Sequence, residues 1–316
     1  MCFVGAQFDN VEIWFQRATD VVRKLVEGNM DLGIVGYDLF AEVAGEVADD
    51  LIVVHDSLNF GHCRLSVAVP TQWSDISSLG DLRQASWSEN RPLRVVTGYL
   101  SLAKRFFEQS GFEHVKLTTA DGALEAAPAM GTADCILDLV SSGTTLRENS
   151  LKELEGGTVT ESEGVLIASK RALLKRDGCL EVVREMIERF DAHLRAEGQY
   201  LITANTRGNS PEEVANKLND VGGELLVGLE GPTISPIYSP AKKGSGGLQG
   251  GQYYAVNIVV PRKDIYRAVR LLRRADGSGV CVAPITYIYD EVPEQWSKLC
   301  DKLGIEAGNS SESNAA

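Results

Sequence analysis

Short apolar runs alternate with amphipathic segments along most of this chain, and that alternation restricts it to the α/β class. Met30 to Val35 reads as a buried strand ending in Gly36. Leu51 to His55 is a second strand, and Cys63 to Pro70 a longer one with Leu65, Val67 and Val69 facing one way. Glu12 to Arg17 is expected to be a short strand ahead of them. Asp20 is placed as the cap of a helix carrying Val21, Val22 and Leu25 on one side, and Asp38 as the cap of another. A second unit follows the polar passage Thr71 to Pro92, which reads as a helix plus a connection. Its expected elements are a strand Leu93 to Val96, a helix Leu102 to Gln109 stopped by Gly111, and a strand Val115 to Thr118. A short helix Ala123 to Met130 with Gly131 as C-cap comes next, then an apolar strand Ala133 to Val140 interrupted by Asp134 and Asp138. Leu146 to Leu154 is assigned as helical and Val165 to Ser169 as a strand.

From Leu180 the period becomes 3.6, with Val183, Met186, Ile187, Phe190 and Leu194 on one face. Residues 200–288 then form a separate block. Tyr200 to Ala204 is a strand, Ser210 caps a helix opening Pro211-Glu212-Glu213, and Thr233 to Ile237 is a strand. Ala241 to Gly251 reads as a hairpin connection, followed by a strand Tyr253 to Val260, a helix Lys263 to Arg274 and a strand Val280 to Ile285. That order, β-α-β-β-α-β, is the ferredoxin-like pattern. The small polar stretch Gly308 to Ala316 is expected to be a disordered tail.

Charge and composition narrow the function. The 316 residues carry a formal net charge of -13, which argues against nucleic acid as the main partner. No apolar run is long enough for a membrane, and no signal peptide is visible. The six cysteines (Cys2, Cys63, Cys135, Cys179, Cys281 and Cys300) are scattered without a CxxC pair, so reduced thiols are expected. Cys63 and Cys135 have no base at a recognisable position, so covalent catalysis is not proposed. Of the four histidines, no two have metal-ligand spacing, and no protein metal ligands are assigned.

The chemistry concentrates in Asp138-Leu139-Val140-Ser141-Ser142-Gly143-Thr144-Thr145. A buried strand delivers a turn of small hydroxyl residues around one glycine, ahead of a segment able to open a helix. Backbone N–H groups with the hydroxyls of Ser141, Ser142, Thr144 and Thr145 make an anion cradle without net charge, and Gly143 lets the backbone approach the ligand. Asp138 is wasted on a phosphate but suits a ribose diol, where a carboxylate accepts two O–H bonds. The same residues equally describe an ordinary strand–turn–helix junction capped by Ser and Thr. Neither a Walker motif nor the GxGxxG fingerprint is present. Other candidates are Asp31, Gly33 and Gly36 around a strand end, and Arg17 and Arg64 at strand ends where a guanidinium can grip a pyrophosphate. Glu125 precedes the loop strand on a short helix.

The run from Glu125 through Asp138 and Ser141-Ser142-Gly143-Thr144-Thr145 to Leu146 resembles the signature of the ATP phosphoribosyltransferases, in their long form with a C-terminal regulatory domain. Asp31 to Gly36, Cys63-Arg64-Leu65-Ser66 and Gly231-Pro232-Thr233-Ile234-Ser235-Pro236 match in the same order. The likeness extends over nearly all of residues 12–290. Glu12 to Arg17 and Thr119 to Glu125 look most like the plant and algal version.

The resemblance implies an α/β fold with a bilobal, periplasmic-binding-protein-like catalytic part and a C-terminal ferredoxin-like (βαββαβ) regulatory domain. Residues 1–71 and 162–196 would form lobe I, 72–161 lobe II with the phosphoribosyl loop, 197–290 a histidine-binding domain, and 291–316 a tail. It also implies transfer of the 5-phosphoribosyl group of phosphoribosyl pyrophosphate to N1 of ATP, with Mg²⁺, inhibition by histidine, and assembly into dimers and hexamers. Ser141 to Thr145 would bind the 5-phosphate and Asp138 the ribose hydroxyls. Arg17 and Arg64 would face the pyrophosphate or ATP phosphates, and Asp31, Gly33, Gly36 and Glu125 the cleft wall. Leu229 and Thr233 fall in a segment that resembles the family's histidine-contacting region. A plant or algal origin would place the protein in the chloroplast stroma, and any other origin in the cytoplasm.

The family begins with a strand and a Lys-Gly-Arg-type turn ahead of the point where this sequence starts, and low activity is expected of these residues alone. The alternatives are a catalytically impaired regulatory subunit and an anion- or solute-binding protein of the same bilobal fold. Turnover that releases pyrophosphate separates a transferase from both.

Overall fold

The computed structural model describes residues 2–3, 11–47, 50–120, 122, 124–239, 249–291 and 293–306. The chain forms two compact units, Met1–Ile187 with Val292–Ala316, and Glu188–Glu291.

The first unit opens with β1 (Cys2–Phe3) paired to β2 (Glu12–Ile13). It continues through α1 (Ala18–Val26), β3 (Leu32–Gly36), α2 (Tyr37–Val47) and β4 (Leu51–His55). The chain then crosses to a second sheet with β5 (Cys63–Pro70), α3 (Leu79–Gln84), β6 (Leu93–Thr97), α4 (Leu100–Gln109) and β7 (Val115–Thr119). After β8 (Cys135–Val140), α5 (Thr144–Glu148) and β9 (Leu151–Ser162) it returns through β10 (Gly164–Ser169), α6 (Lys170–Lys175) and α7 (Cys179–Ala196).

Beside the β1–β2 pair, two larger sheets carry this unit, as the bilobal reading expects. The small one has the order β3-β10-β4, and the large one β7-β6-β8-β5-β9. In the small sheet Val35, Leu51, Val165 and Ile167 pack against Val21, Val22 and Leu25 of α1. Both faces of the large sheet are covered. Val67, Val95 and Leu137 meet Leu82, Leu102 and Phe107 on one side, while Ala68, Val96 and Ile136 meet Leu124, Leu146 and Leu151 on the other. Burial on both faces explains why these strands read as continuous apolar runs rather than alternating ones. Each fully buried Leu, Ile or Phe contributes roughly 1.5–3 kcal/mol. The two chain crossings lie side by side. Leu58 N–H donates to the Gly164 carbonyl at 3.0 Å, and Gly164 N–H to the Phe60 carbonyl at 2.8 Å. The Glu163 carboxylate accepts from Ser57 Oγ and the Asn59 N–H.

The second unit holds β11 (Gln199–Arg207), α8 (Pro211–Gly222), β12 (Thr233–Ser239), β13 (Gln249–Pro261), α9 (Ile265–Arg274) and β14 (Gly277–Pro284). The order β12-β13-β11-β14, with every pair antiparallel, is the ferredoxin-like topology. Ile202, Val256 and Ile258 pack beneath Val214, Leu218, Ala268 and Leu272 of the helices. Ser210 Oγ accepts the Glu213 N–H at 3.2 Å, so the serine cap is present.

Several local expectations change. Leu146 to Leu154 is not one helix. Asn149 ends α5, Ser150 takes a left-handed φ of 56°, and Leu151 starts the long β9 beside β5. Of the helix expected from Ala123 to Met130, Leu124–Ala126 forms a single 3₁₀ turn, and the chain goes on through isolated turns in which the Met130 N–H donates to the Ala126 carbonyl at 3.0 Å. Asp20 is not a cap, since α1 starts two residues before it; its carboxylate accepts from Arg23 at 2.8 Å within the first turn. Asp38 likewise lies inside the first turn of α2. The strand expected from Glu12 to Arg17 stops at Ile13. Residues 291–316 are more than a tail. They carry α10 (Glu294–Leu303), whose Trp296, Leu299 and Cys300 are buried and whose Lys302 Nζ donates to the Val53 carbonyl at 3.1 Å. Of the connection expected from Ala241 to Gly251, residues 241–248 lie outside the described residues and Gln249 to Gly251 already belong to β13, while the polar stretch from Gly308 lies outside the described residues.

Candidate active site

In the large sheet β6 lies between β7 and β8 and runs parallel to both. The chain leaves β6 through α4 to reach β7 on one side and later arrives at β8 on the other. This reversal opens a crevice at the carboxyl ends of β6 and β8, the place where open α/β sheets bind ligands. Thr97-Gly98-Tyr99 leads out of β6 on one wall. The segment Asp138 to Thr145 leads out of β8 on the other.

The loop joins β8 to α5 as a strand–turn–helix junction, the shape that both readings of its composition share. Gly143 precedes α5 at φ 70°, ψ 10°, a left-handed conformation in which side chains are strained. Ser142 Oγ and Thr144 Oγ1 are 2.9 Å apart, and Arg147 ties the turn from behind. Its guanidinium donates to the Ser142 carbonyl at 3.1 Å and to Thr144 Oγ1 at 3.0 Å. Ser141, Ser142, Thr144 and Thr145 are exposed. Asp138 is half-buried and accepts the Leu139 N–H at 2.8 Å. Burial pushes its carboxyl above the ordinary range against that hydrogen bond, and the charge of Glu125 adds to the rise. Glu125 is thus electrostatically coupled to Asp138 from the 3₁₀ turn.

The other candidates divide. Arg64 reaches the loop, donating to the Ser141 carbonyl at 3.5 Å, but its main bond is a two-pronged one to Glu153, at 2.7 and 2.5 Å. It therefore braces the turn. Arg17 is exposed at the start of α1, where its carbonyl accepts the first N–H groups of the helix. Gly36 ends β3 beside Asp38. Asp31 is not at that end. It precedes β3 by one residue, roughly 17 Å away at strand rise, and its carboxylate is held by Arg176. Gly33 does not shape a ligand wall either. A Cβ there would overlap Val21 Cγ1 and press on Leu25, so its role is close packing of α1 on the small sheet. Gly33→Ala is expected to lower stability by about 1–3 kcal/mol through overpacking, read as a lower denaturant midpoint at unchanged m. In the second unit Leu229 is half exposed in the turn before β12, and Thr233 opens that strand opposite Asn257.

Sequence reading missed four residues. Tyr99 stands at the crevice and donates its hydroxyl to Asp38 Oδ2 at 2.6 Å. Ser162 Oγ donates to Asp38 Oδ1 at 2.6 Å, and Arg147 and Glu153 hold the loop as described. Of these only Arg147, four residues after Gly143, sat at a spacing that sequence makes visible. Cys63 opens β5 near Asp38 and Ser162, and burial together with the Asp38 charge pushes its thiol up. Among the described residues no group of three or more His, Cys, Asp or Glu side chains forms a metal cluster. No helix among them is long and apolar enough to cross a membrane.

Known proteins give this geometry a context. A family model described as ATP phosphoribosyltransferase matches residues 17–192, and the model of that family's C-terminal domain matches residues 196–287. ATP phosphoribosyltransferase 1, chloroplastic, of Arabidopsis thaliana is 52% identical over 302 residues, covering 95% of this chain and 72% of that protein. The ATP phosphoribosyltransferase of Rhodopseudomonas palustris is 31% identical, over 93% of this chain and 85% of its own. A solved ATP phosphoribosyl transferase (HisG:HisZ) complex from Thermotoga maritima aligns with 56% of the chain and 76% of its own at 22% identity, with a TM-score of 0.44.

Proposed function

The chain belongs to the ATP phosphoribosyltransferase family, the pentosyltransferases of the first step of histidine biosynthesis, and we propose that the crevice between Tyr99 and Asp138 holds its phosphoribosyl donor. The observation that carries this reading is the turn Ser141 to Thr145, held open by Gly143 at a switch point of the sheet and followed directly by a helix. Its N–H groups and hydroxyls suit a 5-phosphate, and Asp138 suits the ribose hydroxyls beside it.

The reaction joins N1 of the ATP adenine to C1 of phosphoribosyl pyrophosphate while the bond from C1 to the pyrophosphate oxygen breaks. C1 inverts through a transition state of oxocarbenium character. The chain's own residues contribute by position. The loop fixes the phosphate, Asp138 fixes the ring, and Glu125 adds negative charge near the developing cation. Arg64 and Arg147 keep the turn in shape. Arg17 supplies positive charge for the phosphates from α1, and Gly36 forms part of the facing wall. Residues 1–71 with 162–196 and residues 72–161 act as the two catalytic lobes, whose closure excludes water from the activated ribose.

Family members use a divalent metal. We assign Mg²⁺, carried in on the pyrophosphate, because Asp138 and Glu125 are a pair and not a full ligand set. A hard cation that keeps its phosphate and water ligands fits such a site, and it neutralises charge on the leaving group. Residues 197–290 act as the histidine-sensing module, with Leu229 and Thr233 at the inhibitor. The chain works as a homodimer and hexamer in the chloroplast stroma, a placement supported by the chloroplastic Arabidopsis relatives. Mixing the protein with ATP, Mg²⁺ and phosphoribosyl pyrophosphate is expected to release one pyrophosphate per phosphoribosyl-ATP formed, with a rate that histidine lowers. Binding of the donor without pyrophosphate release would instead favour the solute-binding reading.

A further inference from the structure

Helix α2 of the small sheet reaches across to the start of α4 on the large one. Asp38 is 4% exposed, and its side-chain partners are two hydroxyls, Ser162 Oγ at 2.6 Å and the Tyr99 phenol at 2.6 Å. Its own N–H donates to Ser162 Oγ at 3.0 Å, which closes a small ring of bonds. One turn along, the Glu42 carboxylate accepts the N–H groups of Ser101 and Leu102 at 2.7 and 2.9 Å, two of the orphan donors at the start of α4. Arg105 then donates to the Ala41 carbonyl at 3.0 Å. Tyr99 is the residue immediately before α4, so it is fixed from both sides.

A phenol has one proton to give. Here it is donated in the hydrogen bond to the Asp38 carboxylate, and the lone pairs of the phenol oxygen are what remains for a ligand. Donation to a carboxylate polarises the O–H bond and strengthens the oxygen as an acceptor. Burial, the bond to Asp38 and the Asp38 charge all push the phenol's ionisation well above its usual range, so the hydroxyl stays neutral. The charge of Asp138 also bears on it. Two acceptors, the Tyr99 oxygen and the Asp138 carboxylate, therefore stand at adjacent strand ends.

We infer that Asp38 is a positioning residue for the donor site: by accepting the hydrogen bond from the Tyr99 O–H it presents the phenol oxygen to the crevice as an acceptor for a ribose hydroxyl. The inference rests on reading the crevice as a ribose phosphate site and adds a second hydroxyl-recognising group to it. Asp38 itself need not touch the substrate.

The test is a double-mutant cycle with Asp38→Asn, Tyr99→Phe and the pair, measured on the full chain with Mg²⁺, ATP and phosphoribosyl pyrophosphate. Tyr99→Phe should lower kcat/KM for the donor by roughly tenfold, the size of one hydrogen bond, and lower the thermal midpoint modestly, since one oxygen of buried Asp38 loses its partner. Asp38→Asn should do the same, and the pair should be no worse than the more damaged single variant. Losses that multiply, or a loss in Asp38→Asn matched by a fall in thermal midpoint while Tyr99→Phe stays at the wild-type rate, would overturn the inference. Tyr99→Phe at the wild-type rate overturns it even where Asp38→Asn does not fold. Calorimetry with phosphoribosyl pyrophosphate on the unsubstituted chain separates the two readings. Absence of binding defeats the crevice itself, whereas binding with an additive cycle defeats only the role of Asp38.

Discussion

Replacing Asp138 with asparagine is expected to lower kcat/KM for phosphoribosyl pyrophosphate by roughly 100-fold, because bonds from two hydroxyls to a charged acceptor are weakened at once. Folding is expected to be spared or improved. Burial and the nearby Glu125 charge hold the folded-state carboxyl above its ordinary value. The folded chain therefore keeps this proton more tightly than the unfolded chain does. The resulting stabilisation is fully present below the unfolded value and is lost as pH rises through the folded one. At neutral pH the ionised Asp138 costs stability, and asparagine removes that cost while retaining an acceptor for the Leu139 N–H. Thermal midpoints across pH check this. The variant should match the parent in acid and equal or exceed it at neutral pH. A large fall at neutral pH, or an unchanged kcat/KM, would remove Asp138 from the ribose.

Gly143→Val is expected to raise KM for phosphoribosyl pyrophosphate by roughly tenfold or more, with a much smaller change in KM for ATP. Gly143 has φ 70°, where a β-branched residue is strained, and an added Cβ would lie 3.1 Å from Arg147 Nη1. The backbone must turn to escape both, which reorients the N–H groups of the turn and shifts Ser142 and Thr144 off Arg147. Strain of this kind costs about 1–3 kcal/mol, and the thermal midpoint should fall accordingly. Steady-state kinetics with each substrate varied in turn reads the difference. Equal changes in both KM values would point to general unfolding rather than a disturbed phosphate cradle.

What sequence made legible follows the range of the interactions. Leu51–His55 and Cys63–Pro70 read with their observed bounds because each is an apolar run closed by turn residues. The strand–turn–helix shape around Gly143 was legible because a glycine among small hydroxyl residues sets a turn locally. β9 was not, because Leu151 and Leu154 suit a helix as well as a strand, and pairing with β5 decides between them. Asp31 was grouped with Gly36 because a strand's sequence does not say which end meets the ligand. Tyr99 and Asp38 were out of reach for the same kind of reason. They are 61 residues apart, Ser162 is 124 residues from Asp38, and their meeting depends on strand order and on how the two sheets face each other.

Calorimetric titration of phosphoribosyl pyrophosphate into the unsubstituted chain, with Mg²⁺ present, bears most directly on the crevice. One saturable site per chain is expected, with ribose 5-phosphate competing, unphosphorylated ribose not competing, and affinity reduced at least tenfold in Gly143→Val. Binding that ribose 5-phosphate leaves untouched, or that Gly143→Val leaves at full strength, would contradict a phosphoribosyl site at Asp138 to Thr145.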